Sequence, residues 1–407
     1  MVVDAFSNLA AVANSVLVIP GSQYQVPLIT KARSRGYRVV CADRDPSCPG
    51  SRVADEFHAI GLDERDELLK LARTVRPVGI VTDQTDAAVV VVAWLSAQLG
   101  VRGIGEPCAR LFTEKHRMRE FGRTHGFPTP AFFLSKDLSS AQAAAAAIGF
   151  PVVIKPVSNQ ASKGVHRVDT PESLAECFAD AVHYSAAGGV LVEQFVDGTE
   201  FTVEGFMGEG GHQTLGISEK SHYPEHPMVA CSLRYTPSNS RFDYGVLQRV
   251  HDDWINQSGL PFGMTHAEYK FSLGRYYLIE VATRGGGTRI ASDIVPWVSG
   301  VDFQELMLDA VLEGRAQGVR GALKHRCALL EFFQFPVGLV RAIRGVNEAK
   351  SLPGVLDVAL SRGVGDFLPA LTDDTVRPGY FILQTNTEAE LRYLREQVLD
   401  LVQIEVE

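Results

Sequence analysis

Residues 263–290, GMTHAEYKFSLGRYYLIEVATRGGGTRI, constrain the fold more tightly than any other stretch of this chain. Two short runs, 266–272 and 276–283, flank a turn at Leu273, Gly274 and Arg275. In the first run Ala267, Tyr269 and Phe271 alternate with His266, Glu268, Lys270 and Ser272. In the second, Tyr277, Ile279 and Val281 alternate with Leu278, Glu280 and Ala282. A period of two predicts strands with one face toward a core and one working face. A three-residue loop centred on Gly274 sets Glu268 across from Glu280. A two-residue loop at Gly274-Arg275 sets Glu268 against Val281 and turns an apolar face outward, so the first register is expected. Carboxylates opposed at about 4.5–5.5 Å between Cβ atoms repel. They need a shared proton or a cation, and hard divalent ions take such oxygen ligands. An ordinary hairpin with both glutamates in solvent satisfies the same alternation. Beyond the hairpin come Arg284, the close-approach run Gly285-Gly286-Gly287, and Arg289.

A chain of 407 residues is too long for one simple core and predicts two to four domains. Its 45% hydrophobic and 21% charged residues are those of a soluble globular protein. A net charge of −9 argues against a general nucleic-acid surface, so an anionic substrate has to meet locally placed Lys and Arg. Six scattered cysteines without paired spacing read as reduced thiols, not a zinc site or disulfide frame. The N-terminus carries Asp4 and no basic residue before its apolar run, a poor signal peptide. The longest apolar stretch, 87–95, is under half a membrane span. A cytoplasmic location is expected.

Along the chain, 15–20 (SVLVIP) reads as a buried strand ending at Gly21, with a helix through 29–35 and a strand over 37–43. Strand, glycine, helix, strand and Asp43 follow a dinucleotide-binding order, but only Gly21 sits in the turn where three glycines belong. A helix over 64–74, a strand over 78–82 and a buried helix over 87–99 complete an α/β first domain with a mainly parallel sheet. Residues 108–125 predict one helix, densely basic through Arg110, Lys115, Arg117, Arg119 and Arg123. Strands are expected at 130–134, 150–155, 165–168 and 190–195, with helices over 139–148 and 173–184. A strand over 201–207 follows, and 362–407 reads as a small α/β cap.

In this order the motifs resemble the ATP-grasp superfamily of carboxylate–amine and carboxylate–thiol ligases, and bacterial L-amino-acid ligases among them. The resemblance spans nearly the whole chain. It implies an α/β and α+β architecture: a Rossmann-like first domain over 1–105, an ATP-grasp domain over 106–325 with a lid at about 126–192, and a cap over 326–407. Lys115 in FTEKHRMRE and Lys155 in VVIKP match the two phosphate lysines, each of which alone also reads as a solvated lysine. Ser162-Lys163-Gly164 matches the mobile phosphate loop, though with one glycine where the family is glycine-rich. Glu193-Gln194-Phe195-Val196 matches the adenine hinge, Phe195 also reading as core, and Glu200 the ribose carboxylate. Glu268 and Glu280 match the metal carboxylates, and Arg284 the arginine of Glu-x-Asn-x-Arg, here Glu-Val-Ala-Thr-Arg. Ala282 therefore stands where the family has a third ligand, and alternation turns Thr283 to the other face.

The resemblance implies ATP and Mg²⁺, with Mn²⁺ as the alternative ion, and phosphoryl transfer to a carboxylate to give an acyl phosphate that an amine attacks. Arg284 and Lys155 are the catalytic candidates. Arg289 is the candidate grip for a substrate carboxylate, with Lys220 and His266 as weaker substrate-side candidates. Expected partners are a small carboxylic acid and an amine, amino acids above all, with neither nucleic acid nor membrane; a homodimer is an option. Competing readings are a biotin-carboxylase-type carboxylation, a nucleotide-binding regulatory module without chemistry, and a nicotinamide oxidoreductase resting on Gly21 and Asp43.

Overall fold

The computed structural model describes residues 15–157, 163–185 and 189–407. The first four strands are β1 (Ser15–Val18), β2 (Arg38–Asp43), β3 (Glu56–Ala59) and β4 (Gly79–Val81). They form a parallel sheet in the order β3-β2-β1-β4. Val16–Val18 and Val39–Ala42 are buried on both faces, which is why these strands read as continuous apolar runs without alternation. Helices Val26–Ser34, Pro49–Val53 and Arg65–Val75 connect them, and Asp86–Leu99 follows β4. Strand β3, which lay hidden in the sequence, is a half-buried edge with no apolar run to betray it. The strand order reverses beside β1, so the loops after β1 and β4 flank a crevice at the carboxyl ends of the strands.

Residues 108–125 do not make one helix. Helix Glu106–Leu111 stops and Lys115–Thr124 begins anew after an extended Glu114. The Lys115 amide leaves the helical ladder and donates to the Val157 carbonyl at 3.1 Å, which starts the second helix at the lysine. A second sheet follows, from β5 (Phe132–Ser135), β6 (Val152–Pro156), β7 (His166–Val168) and β8 (Val190–Gln194), antiparallel in the order β5-β8-β6-β7. Helix Leu138–Ile148, started by a capping box between Asp137 and Ser140, and helix Leu174–His183 pack on it.

The remaining strands are β9 (Thr199–Gly208), β10 (Gly211–Tyr223), β11 (His226–Tyr235), β12 (Gly263–Ser272), β13 (Arg275–Ala282), β14 (Cys327–Phe332), β15 (Gly338–Arg344), β16 (Val355–Leu360), β17 (Phe367–Leu368), β18 (Gly379–Thr385) and β19 (Gln403–Val406). Eight of them form one antiparallel sheet in the order β13-β12-β9-β10-β11-β14-β18-β16, and β17-β15-β19 make a small separate sheet. Leu233 of β11 pairs with Leu330 of β14, so the expected division at residue 326 falls inside a hydrogen-bonded sheet.

The hairpin corrects the expected turn while keeping the expected pairing. Ser272 pairs with Arg275 across a two-residue loop, Leu273-Gly274, with φ of 48° and 78°. Two positive φ values give the right-handed twist that suits a hairpin, and only the exposed position of Leu273 lets a leucine occupy one. A bulge between Glu268 and Tyr269 then shifts the register, so that Glu268 faces Glu280 after all. The extra residue is Ile279. It also flips the alternation: Tyr276, Leu278 and Val281 enter the core, not Tyr277 and Ile279. That core, with Phe201, Val203, Ala267 and Tyr269, lies under helices Lys115–Thr124 and Tyr244–Gln257. The opposite face is left for polar side chains.

Candidate active site

Strand alternation and register lay the polar face out in rows. Glu280, Glu268, Thr202, Ser218 and Tyr235 follow one another across β13, β12, β9, β10 and β11. One row along are Lys270, Glu200 and Lys220, and on the other side Ala282, His266 and Glu204. Lys220 Nζ bridges two carboxylates, donating to Glu200 Oε1 at 2.6 Å and Glu268 Oε1 at 2.8 Å. Burial opposes its charge, but the two carboxylates win and raise its pKa. Burial likewise works against charged Glu200 and Glu268, yet Lys220 holds both below the usual carboxylate range, joined at Glu200 by His222. Glu280 takes a different lysine: Lys115 Nζ donates to its Oε1 at 2.6 Å. The repulsion of the opposed pair is thus answered by one cation from each flank.

Lys115 opens its helix, and one turn later Arg119 is buried with 1% exposure. Arg119 Nε donates to Glu193 Oε2 at 2.8 Å, and its Nη2 to the Ile279 carbonyl at 2.7 Å. Ile279 is the bulged residue, so this arginine ties the helix to the irregularity that aligns Glu280. Lys155, at the end of β6, ion-pairs with the same Glu193. Burial pushes Lys155 down to about 8, against the pull of Glu193. Burial would raise Glu193, but Arg119 and Lys155 bring it to about 2. The Glu193 side chain is therefore a buried bridge between the two lysine-bearing elements. The sequence showed Arg119 only as one more basic residue; its offset of four from Lys115 was the available signal.

Beyond Glu193, the Gln194 and Phe195 amides donate to the Ala131 and Pro151 carbonyls. The Phe195 ring lies between Arg167, 4.3 Å from its centroid, and Lys270, 5.1 Å away, while Val196 is buried. Gly164 has φ +67°, and a Cβ there would meet the Tyr184 ring at 2.9 Å. Lys163 lies within electrostatic reach of Asp373 in the C-terminal part. Ser162 is outside the described residues.

The loop after β13 docks into the crevice of the first sheet. Arg284 Nε and Nη2 donate to the two Asp86 oxygens at 2.6 and 2.8 Å, at the start of helix Asp86–Leu99. Burial disfavours both charges, yet each keeps the other ionised: Arg284 is raised and Asp86 lowered. The Gly285 amide donates to Asp83 Oδ1 at 2.9 Å, and Gln304 to Asp83 Oδ2 at 2.7 Å. Burial nevertheless raises the Asp83 pKa. A Cβ on Gly285 would lie 2.4 Å from Ala291 Cβ, and one on Gly286 would lie 3.1 Å from His266 Nδ1, so both glycines are required by packing. His266 Nδ1 lies 2.7 Å from the fully buried Glu204 Oε1. Asp86 and Arg284 lie 198 residues apart in the chain, and no local pattern pointed to Asp86.

Arg289 differs from its expected role. Its φ is +64°, and Asp293 takes its Nε and Nη2 at 3.0 and 2.8 Å. Asp357 takes Nη1 at 3.0 Å, so the bidentate edge expected to hold a substrate carboxylate is occupied from within the chain.

Among the described residues no group of three or more His, Cys, Asp or Glu is arranged to hold a metal ion. Two carboxylates on one face fit Mg²⁺ where phosphate oxygens complete its shell, since this ion keeps few protein ligands. The face thus offers Glu268 and Glu280 with Lys115, Lys155 and Lys220 and, beyond the hairpin, Arg284, a surface suited to a polyphosphate and its cation.

Residues 148–292 match the family model of the ATP-grasp domain, and residues 331–407 that of L-amino acid ligase C-terminal domain 2. A D-alanine--D-alanine ligase of Ectopseudomonas mendocina is 35% identical over 234 residues, 51% of this chain and 66% of that protein. A formate-dependent phosphoribosylglycinamide formyltransferase of Mycolicibacterium smegmatis is 26% identical over 245 residues, 54% of this chain and 60% of that one. The chain spans between about half and two thirds of the length of the curated relatives it matches. Among solved structures, an L-amino acid ligase from Bacillus licheniformis superposes with a TM-score of 0.81 at 20% identity, covering 97% of this chain and 99% of that one. The MgADP-bound biotin carboxylase domain of a Hydrogenobacter thermophilus 2-oxoglutarate carboxylase gives 0.74 at 17%, covering 97% and 91%. These likenesses show the fold. Among the described residues no helix is long and apolar enough to cross a membrane.

Proposed function

We propose that this chain, which carries an ATP-grasp domain and an L-amino acid ligase C-terminal domain, is an ATP-dependent carboxylate–amine ligase whose substrates are amino acids or close relatives. The observation that carries the reading is the opposed pair Glu268 and Glu280, fixed on one face by a bulge and flanked by Lys115 and Lys220. These lysines neutralise the carboxylates. When nucleotide binds, Lys115 turns to phosphate oxygens and frees Glu280, Lys220 releases Glu268, and Lys155 turns from Glu193 to the phosphates. Mg²⁺, with Mn²⁺ as the alternative, would be held by Glu268 and Glu280 and would neutralise charge on the phosphate oxygens; Ala282 removes the family's third ligand.

Lys163, Gly164 and Ser162 cover the phosphates, Glu193–Val196 receive the adenine edge, and Glu200 receives the ribose once Lys220 lets go of it. The substrate carboxylate oxygen takes the γ-phosphoryl group with release of ADP. The amine then attacks the acyl carbon and phosphate departs. Phosphoryl transfer depends on positioning and charge neutralisation, which Lys115, Lys155 and Arg284 supply; Asp86 holds Arg284 in place. His266, braced by Glu204, and Lys220 stand on the substrate side. The expected divisions at 105 and 325, the cytoplasmic location and a homodimer belong to this proposal. The test is formation of ADP and phosphate that requires Mg²⁺, a carboxylate and an amine together. Full activity in Glu280→Ala sinks the reading.

A further inference from the structure

Arg289 is tied off inside the chain and Arg284 is held by Asp86, so neither leaves an open bidentate edge for a substrate anion. The C-terminal part brings a third arginine to the same cleft. A 3₁₀ turn, Asp374–Val376, started by Asp373, leads into Arg377 just before β18. Asp374 lies within electrostatic reach of Lys220 and Glu268, which places the turn over the polar face of the sheet. Arg377 lies over the Phe332 ring, 3.8 Å from its centroid, and within electrostatic reach of Tyr24 in the loop after β1. The turn therefore lies between the polar face and the loop after β1.

The hydrogen bonds of this arginine are incomplete. Its Nη2 ion-pairs with Asp374, while its buried Nε has no acceptor among the described residues. A buried N–H left so is completed by an ordered water, an ion or a ligand. Nε and Nη2 share one edge of the planar group; Asp374 Oδ1 holds its Nη2 end, so Nε is the donor left for a ligand oxygen. Stacking on Phe332 fixes the plane of that edge before any ligand arrives. Burial pushes the Arg377 pKa down in spite of Asp374, so one carboxylate leaves its charge incompletely answered. The side chain keeps 13% of its surface open.

We propose that Arg377 binds the free carboxylate of an amino-acid substrate, the carboxylate that is not phosphorylated, and so makes the C-terminal turn part of the acceptor site. This rests on the ligase reading for its substrate class. On this reading the chain distinguishes an amino acid from the corresponding amide or simple amine by the charge it presents to the turn.

Saturation-transfer NMR tests this on the full chain with Mg²⁺ and a non-hydrolysable ATP analogue. Two cocktails serve as probes, the twenty L-amino acids and the same residues as L-amino-acid amides. The expected result is that at least one free acid binds and its amide binds at least about tenfold more weakly. Arg377→Met, which keeps the packing on Phe332, should weaken the acid by about 10- to 100-fold and leave the amide and the ATP analogue unchanged. Arg377→Lys should recover part of the loss. The proposal is overturned if no acid binds the wild type, if acid and amide weaken equally, or if Arg377→Met binds the acid normally. Affinity for the ATP analogue reports folding; should Arg377→Met lose it, Arg377→Lys carries the comparison under the same criteria. Phosphate release from ATP in the same mixtures reads ligation separately. Acid binding through Arg377 without phosphate release sinks the ligase reading and leaves the role of the turn standing.

Discussion

Replacing Arg119 by methionine tests whether one buried cation holds the polar face in register. The arginine is 1% exposed and Glu193 3%, so solvent cannot take over for either. The substitution removes two donors to Glu193, at 2.8 and 3.4 Å, and the donor to the Ile279 carbonyl at 2.7 Å. Glu193 would keep Lys155 alone. Breaking one side of a buried ion pair costs about 3–5 kcal/mol, because the remaining charge stays desolvated. Against a total of about 5–15 kcal/mol for a domain, that loss is readable in urea unfolding. Trp254 sits in the adjoining core with Phe112 and Phe121 and supplies the fluorescence signal. Arg119→Met with Glu193→Gln should lose less than the two single losses added, with a coupling of about 1–3 kcal/mol. Affinity for MgATP should fall at least about tenfold as the bulge at Ile279 relaxes and Glu280 leaves its place opposite Glu268. A single-variant loss below about 1 kcal/mol, or strict additivity in the double variant, refutes the bridge.

Other outcomes are checked as simply. Lys155 is held at about 8, so MgATP affinity measured by calorimetry should fall as pH rises from 7 to 9 and the amine loses its proton; Lys155→Arg should flatten the profile. The contribution of the same lysine to stability has the opposite sign. Its folded pKa lies below the unfolded value of about 10.4, so the unfolded chain binds more protons between about 8 and 10 and stability rises with pH there. Glu280→Gln should cut phosphate release by at least about 100-fold and raise the Mn²⁺ concentration needed for half-activity; activity within about threefold of wild type would count against a metal role. Gly286→Ala puts a Cβ 2.8 Å from Ile290 Cγ2 and 3.1 Å from His266 Nδ1, and should cost about 1–3 kcal/mol in thermal unfolding. Gly287→Ala meets nothing within 4 Å and should be silent; equal losses would undo the packing argument.

What the sequence shows of this site is what periodicity can carry. Alternation along 266–272 and 276–283 predicted Glu268 opposite Glu280 through a three-residue loop; the pair is found, but through a two-residue loop and a bulge. It could not show the bulge. Ile279, the extra residue, gives its carbonyl to Arg119, 160 residues earlier, and that contact exists only once the helix has packed on β13. The break that starts this helix at Lys115 depends in the same way on Val157, a residue of the next sheet. Charges showed a similar limit. Lys115, Lys155 and Lys220 were visible as candidate phosphate or substrate ligands, but each acquires a carboxylate partner on another element, with separations of 165, 38 and 48 residues. Arg289 shows how this misleads. An arginine after a glycine run reads as available, yet Asp293, four residues on, takes its Nε–Nη2 edge and Asp357, 68 residues on, its Nη1. Arg377 is the converse case. Nothing around it in the sequence marks a site, and only the fold shows a guanidinium stacked over Phe332 with Nε unanswered. Availability of a charged group is a property of the packed chain, so the residue types at a site can be read from sequence while the ones left free to bind cannot.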